Sequence, residues 1–230
     1  MTMRQRARFV IVTEDSKPAT GGVAEYLHRL ASALAATHDV EVVTSVTGAE
    51  ALNRGIPFRY REVPWFRSQA RYPGDGVGVV RRAHTVAWYL GRRRQVRELL
   101  RGILSERADT SVVLGRVSPV TDPWRVACEE LGVPYAAIGY GRELIEPLGR
   151  ADARRRRAAV LGARHWFAIS EYTRGVLAEY GVPDARTTLL PPAVAERPVP
   201  SDGGRRSVRK RDGERINGLR FFLAGYLRRR

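Results

Sequence analysis

The sequence predicts an α/β protein built on a parallel sheet flanked by helices, and two observations carry that prediction. Short apolar, β-branched runs alternate along the chain with longer segments whose apolar residues recur at helical spacing. The short runs are apolar at almost every position, as strands buried on both faces require.

The elements follow in order. Residues 8–13 (RFVIVT) read as a buried strand, followed by a loop with Pro18 and the pair Gly21-Gly22. Over 23–36 the residues Val23, Leu27, Leu30 and Leu34 mark a helix. Residues 39–45 (DVEVVTS) form a second strand and 58–64 a weaker third; 72–78 (YPGDGVG) is a loop by its Pro and Gly content. A long helix spans 79–104, with Val86, Leu90, Val96, Leu99, Leu100 and Ile103 on one broad apolar face. Residues 111–116 (SVVLGR) are a strand and 122–131 a helix closed by Gly132. Then come a strand at 135–139 (YAAIG), a helix at 151–162 bearing Arg154–Arg157, and a strand at 165–170 (HWFAIS). Its last residue, Ser170, is placed to cap the helix at 171–180. A short strand at 187–190 precedes Pro191-Pro192. This divides the chain into a domain over 1–192, a Pro/Gly-rich linker and charged helical stretch over 193–218, and a strand beginning a second domain over 219–230. One strand cannot make a domain, so that second unit is begun and left incomplete.

Composition bounds the function. At 230 residues, 43% hydrophobic and 28% charged, the chain can bury a sizeable core and is not wholly disordered. No stretch of 18 apolar residues exists, and the first apolar run stops at Glu14 and Asp15, too short for a secretory signal. A cytoplasmic location is the expectation. Cys128 is the sole cysteine, which excludes an internal disulfide framework. Forty basic against 24 acidic residues give a net charge of +16, and all the basic residues but Lys17 and Lys210 are arginine. That excess favours anionic partners: nucleic acid, anionic lipid or phosphorylated small molecules.

Gly21-Gly22 lies between the first strand and its helix, where bare backbone amides can receive a phosphate. The loop, KPATGGVAEY, lacks the GxGxxG dinucleotide fingerprint, and a tight turn needing positive φ explains the glycines equally well. Glu25, in the helix's first turn, reads as a dipole-compensating surface acid rather than a ligand acceptor. In open α/β sheets ligands bind at the carboxyl ends of the strands. The candidates there are Glu14, Asp15, Arg116, Ser118, Tyr140, Arg142, Glu143, Ser170, Glu171 and Tyr172, each alone readable as a solvated loop residue. His28, His38, His84 and His165 have no ligand-like spacing, so no metal site is expected. Neither GxSxG nor a Walker A loop occurs. The basic stretch RRAHTVAWYLGRRRQVRELLRG reads first as a core-packed helix with a solvated arginine face, and second as an amphipathic face for an anionic membrane. No nucleic-acid-binding fold fits the strand order.

The blocks RFVIVT…ATGGVAEYLHRLASALAATHDVEVVTS, EELGVPYAAIGYGRELIEP and AISEYTRGVLAEYGVPDARTTLLPPAV together resemble family-4-type glycosyltransferases of GT-B fold. The likeness covers roughly residues 8–195, the acceptor-side domain, and implies a Rossmann-like sheet forming the N-terminal half of that fold. INGLRFFLAGYLRRR is similar to the first strand of the family's donor-binding domain, with Gly225, Tyr226 and Leu227 where Gly-Arg-Leu is usual. The family's donor-phosphate Lys-Gly and paired-glutamate motif are not in this sequence.

The resemblance implies transfer of a hexose-like sugar from a nucleotide-diphosphate sugar to an acceptor, with retention at the anomeric carbon. It implies no cofactor beyond that donor substrate, and this chain alone is expected to be inactive. Gly21 and Gly22 are implied beside the diphosphate or acceptor, Arg142 and Glu143 at the acceptor, and Ser170 and Glu171 at the cleft edge. Tyr140 stands where the family has a histidine near the reaction centre, so no catalytic residue is assigned. The implied partners are the nucleotide sugar, a sugar or lipid-linked acceptor, an anionic membrane surface and a separate donor-domain chain, with no specific nucleic acid. The alternative is a non-catalytic subunit that uses the same domain to hold an acceptor or partner.

Overall fold

A computed structural model describes residues 6–63, 65, 79–107 and 109–192. The linker, the charged stretch and the strand expected over 193–230, and the loop expected over 72–78, lie outside these residues. Strands β1 (Arg8–Thr13), β2 (Asp39–Thr44), β3 (Arg59–Glu62), β4 (Thr110–Leu114), β5 (Tyr135–Gly139), β6 (His165–Ala168) and β7 (Thr187–Leu189) form one sheet in the order 3-2-1-4-5-6-7. All six neighbouring pairs are parallel. The helices are α1 (Gly22–Ala35), α2 (Val79–Glu106), α3 (Asp122–Glu130), α4 (Arg142–Ile145), α5 (Arg150–Gly162) and α6 (Glu171–Glu179). The chain winds outward from β1 in one direction through β3, then returns through α2 to build the other half from β4. The expected doubly wound sheet is therefore present.

Alternation along each strand divides the core into two layers. Phe9 and Ile11 of β1 face α1, where Leu27, Leu30, Ala31 and Leu34 pack against them with Val42 and Val113. Val10 and Val12 face the opposite side, under Val96, Leu100 and Ile103 of α2, Trp124 and Cys128 of α3, and Val160 of α5. Burial on both faces is why the strand sequences read as continuous apolar runs. Each such side chain contributes about 1.5–3 kcal/mol when fully buried. Cys128 is one of them, and burial pushes its thiol up to about 12, which leaves it unreactive.

The structure corrects several sequence expectations. Strand and helix ends move by one or two residues, and the third strand shrinks to four residues, Val63 turning its amide to the Thr44 carbonyl at 2.7 Å. A 3-10 helix at Glu50–Gly55 and the single turn of α4 were not expected; neither is long enough to show an apolar period. Leu90, assigned to the apolar face of the long helix, is 53% exposed, while Val96, Leu100 and Ile103 are buried. Over residues 89–106 the basic helix packs on the core through Val96, Leu100 and Ile103, with Arg94, Glu98 and Arg101 in solvent. Among the described residues no helix is long and apolar enough to cross a membrane. His28 pairs with the Tyr60 hydroxyl (3.0 Å) and His165 with that of Thr188 (2.9 Å), as structural histidines do.

Where β1 and β4 run side by side the backbone comes close. The Gly115 amide donates to the Val12 carbonyl at 2.7 Å. A Cβ at position 115 would lie 3.1 Å from both the Thr13 Cβ and the Val12 oxygen, and 3.2 Å from Leu27 Cδ1. Two of those three contacts are with rigid atoms. Gly115→Ala is therefore expected to cost about 1–3 kcal/mol by overpacking, read as a lower urea midpoint with an unchanged denaturant slope.

Candidate functional site

The strand order reverses between β1 and β4, so the loops leaving their carboxyl ends part in opposite directions and open a crevice. On the β1 side, the Thr13 hydroxyl accepts the Asp15 amide (2.9 Å) and bends the chain sharply. Ser16 then ties this loop to the end of β2 through the Thr44 hydroxyl at 2.8 Å. The bend sets Glu14 and Asp15 against Arg116, which follows β4, at 3.8 and 3.1 Å. Glu14 is largely enclosed, and burial raises its carboxyl above the ordinary range despite the facing guanidinium.

The same loop delivers Gly21 and Gly22 to the start of α1. Gly21 caps the helix at φ 157° and offers no side-chain acceptor, so the first amides of α1 are uncapped. A Cβ on either glycine would meet nothing within 4 Å among the described residues, so this backbone is open to a ligand. Glu25 does not enter the crevice. It pairs on the surface with Lys17 (2.8 Å) and Arg29 (2.6 Å), whose hydrogen bonds hold its carboxyl down at about 2.

At the end of β5, Gly141 turns at φ 101° into α4. This turn swings the Glu143 carboxylate back to accept the Tyr140 amide at 2.7 Å. Glu143 is consequently buried and acts as an internal cap, while Arg142 beside it is exposed. The Tyr140 ring stands edge-on to Tyr26 of α1, with centroids 5.8 Å apart. Tyr26 donates its hydroxyl to the Leu190 carbonyl (3.1 Å). The Tyr140 hydroxyl is also buried, yet has no hydrogen-bond partner among the described residues. Burial, reinforced by Tyr26, Glu143 and Asp15, lifts the Tyr140 phenol well above its ordinary value.

At the end of β6, Ser170 caps α6 as the sequence indicates, its hydroxyl accepting the Thr173 amide at 3.2 Å. Glu171 is exposed and pairs with Arg174 (2.9 Å). The structure therefore brings Gly21, Gly22, Tyr140 and Glu143 to one crevice with Glu14, Asp15 and Arg116. It commits Ser170 and Glu171 to their own helix and leaves Arg142 at the rim. Tyr26 escaped the sequence reading. Its only signal is its position four residues after Gly22, on the same face of α1. Among the described residues no cluster of His, Cys, Asp and Glu is arranged to hold a metal ion.

A parallel sheet in this order, with its crevice at the reversal and helices on both faces, is the Rossmann-like N-terminal half of a GT-B fold. The family model Glycosyltransferase Family 4 matches residues 20–196, and the chain belongs to that family. No curated protein matches the sequence. Among solved structures, a glycosyltransferase from Rickettsia africae ESF-5 superposes with a TM-score of 0.53 at 11% identity, covering 81% of this chain and 43% of that one. S. aureus MnaA in complex with UDP gives 0.52 at 12%, covering 80% and 43%. UDP-GlcNAc 2-epimerase from Neisseria meningitidis bound to UDP-GlcNAc gives 0.50 at 13%, covering 80% and 45%. At such identities the likeness is one of fold, and the chain spans less than half the length of these proteins.

The raised Glu14 carboxyl has a consequence for stability. The folded state holds this proton more tightly than the unfolded chain does, so the contribution of Glu14 to stability falls as pH rises from 4.5 through its folded value. Glu14→Gln removes the titration. The stability difference between the original protein and this variant, from denaturant unfolding at a series of pH values, is expected to shrink or reverse across that interval. A difference that grows with pH contradicts the assignment.

Proposed function

We propose that this domain is the acceptor-side half of a sugar transferase and that its crevice receives the diphosphate of a nucleotide-diphosphate sugar. The observation that carries the reading is the uncapped start of α1 at the carboxyl edge of the sheet, one turn before Tyr26, against which the ring of Tyr140 packs with its hydroxyl buried and unpartnered. An unsatisfied buried donor such as the Tyr140 hydroxyl is rare and costly, and the exposed amides at the start of α1 are free to receive an acceptor that arrives with the ligand. Phosphate oxygens suit these donors. The amides following Gly21 supply directed donors and the positive end of the helix dipole, and the Tyr140 hydroxyl adds a neutral donor.

In the transfer itself, the bond between the anomeric carbon and the diphosphate oxygen breaks and one to the acceptor oxygen forms. The negative charge that gathers on the leaving diphosphate is what helix-end amides stabilise. Retention at the anomeric carbon and a hexose-like donor belong to this proposal through the family resemblance. The bound UDP and UDP-GlcNAc of the neighbouring structures support a uridine nucleotide as the first probe.

Titration of UDP into the 230-residue chain, by calorimetry, is expected to give saturable binding. Gly22→Ala fits the open space without a clash and favours the helix, so folding stability should hold or rise while UDP affinity falls about tenfold. Tyr140→Phe removes a buried donor that lacks a partner; it should leave the protein as stable or up to about 1–3 kcal/mol more stable, and should weaken UDP. UDP affinity unchanged in both variants would falsify the site. UDP binding with no sugar transferred to any acceptor, even when a donor-domain chain is supplied, would instead assign the domain to a binding subunit.

A further inference from the structure

Helix α5 turns three arginines straight out of the molecule. Ala159 and Val160 set its inner face, buried in the core layer that α5 shares with α2 and α3. Arg150, Arg154, Arg157 and Leu161 stand at i, i+4, i+7 and i+11, so they fall in one line on the face opposite Ala159. All four are exposed, Leu161 by 39%. The other exposed residues of the helix are Ala151, Ala158 and Gly162, which leaves no polar side chain between the arginines.

Like charges one helical turn apart repel, and nothing in the described structure relieves this line. On three other helices an exposed arginine meets an acid one turn away: Arg29 with Glu25 on α1 (2.6 Å), Arg94 with Glu98 on α2 (3.0 Å) and Arg174 with Glu171 on α6 (2.9 Å). On α5 the residue four places after Arg150 is another arginine, and Ala158 and Leu161 hold the corresponding places after Arg154 and Arg157. None of the three outward guanidiniums has a hydrogen-bond or ion-pair partner among the described residues. The one acid of α5, Asp152, is held by Arg155 at 3.1 Å. Glu146, four residues before the helix, is the exposed carboxylate nearest along the chain.

We infer that this face of α5 is a docking surface for an anionic lipid bilayer. A helix lying flat brings all three guanidiniums to one plane of phosphates, spread over about 10 Å by the rise of the helix. The fork of each guanidinium matches phosphate oxygens, and the apolar stems beneath suit the interface. The fourth member of the line decides between a bilayer and a nucleic acid. Leu161 gains by entering the headgroup region, whereas a nucleic-acid backbone has no apolar surface to cover it. The face also carries no aromatic ring to stack a base and no amide side chain to read one. Helix α2 is the poorer candidate, because Arg93 and Arg97 share Glu130 and Arg94 holds Glu98. The inference does not rest on the transferase reading.

The test is co-sedimentation of the 230-residue chain with vesicles of phosphatidylglycerol and phosphatidylcholine in equal parts, and with vesicles of phosphatidylcholine alone. Binding is expected to the first and not to the second. Arg150→Gln, Arg154→Gln and Arg157→Gln together should weaken it by about fivefold per arginine, about a hundredfold in all. The same change removes the repulsion, so the thermal midpoint should hold or rise. A matched variant, Arg6→Gln, Arg54→Gln and Arg59→Gln, takes the same charge from exposed positions off α5 and should lose far less. Leu161→Ala should weaken vesicle binding severalfold and leave any binding of duplex DNA unchanged. The inference is overturned if the original chain ignores anionic vesicles, if the two triple variants lose affinity equally, or if Leu161→Ala binds vesicles as the original does. Duplex DNA binding lost in the α5 variant while vesicle binding is kept assigns the face to nucleic acid, and overturns it as well.

Discussion

The close parallel pairing of β1 with β4 is the constraint on which the rest of this domain depends. It joins the two halves of the sheet, and the two halves are wound in opposite directions from it. Because of that reversal, the loop after β1 runs to α1 on one face and the loop after β4 to α3 on the other. The crevice between them is a product of topology rather than of any single side chain. Gly115 permits the approach, since a methyl group there would press on the Val12 oxygen, the Thr13 Cβ and the end of Leu27. The charged residues that follow, Asp15 and Arg116, can therefore meet across a distance of 3.1 Å.

The two ends of the sheet treat their charges differently. At the amino end, Arg8 pairs with Glu41 (2.6 Å) and Glu106 (2.8 Å), and Arg61 closes the ring onto Glu41 (2.5 Å). Arg8 also reaches the Ile103 carbonyl in the last turn of α2 at 3.4 Å, where a cation complements the helix dipole. This network joins β1, β2, β3 and α2. Only Arg8 and Glu41 of this set are buried, and removing either would leave the other an uncompensated buried charge. At the carboxyl end the arrangement is opposite: helix amides lack a cap, the Tyr140 hydroxyl lacks a partner, and Arg156 keeps one donor unbonded. Buried donors left unpaired are uncommon, and each calls for an explanation.

The strands were legible because burial on both faces leaves an unbroken apolar record, and RFVIVT matches β1 residue for residue. The cap at Ser170 was legible because a hydroxyl before a helix has one dominant local use. Leu90 was misread because helical periodicity tells which residues share a face, not how far the neighbouring elements extend to cover it. Glu143 was read as facing a ligand, yet its carboxylate closes on the Tyr140 amide. That return depends on the positive φ of Gly141 and on a helix one turn long, and neither leaves a periodic trace. The inward arginines of α5 were hidden for a different reason. Arg154–Arg157 is a uniform run in sequence, but the helix turns Arg155 and Arg156 inward and leaves Arg154 and Arg157 in solvent.

Tyrosine at position 140 also decides what kind of group occupies the end of β5. An imidazole there would change charge near neutral pH, and enclosure would tend to strip its proton. A phenol responds to the same enclosure in the opposite sense: burial raises its ionisation well above the ordinary value, so it keeps its proton throughout the physiological range. The crevice thus holds a donor whose strength does not vary with pH and whose neutrality adds no charge to desolvate. The cost is a hydroxyl left unpaired among the described residues, which is a stability penalty. A phenylalanine would fill the same volume without that penalty. On the proposed reading the hydroxyl is there for an oxygen of the ligand and not for packing.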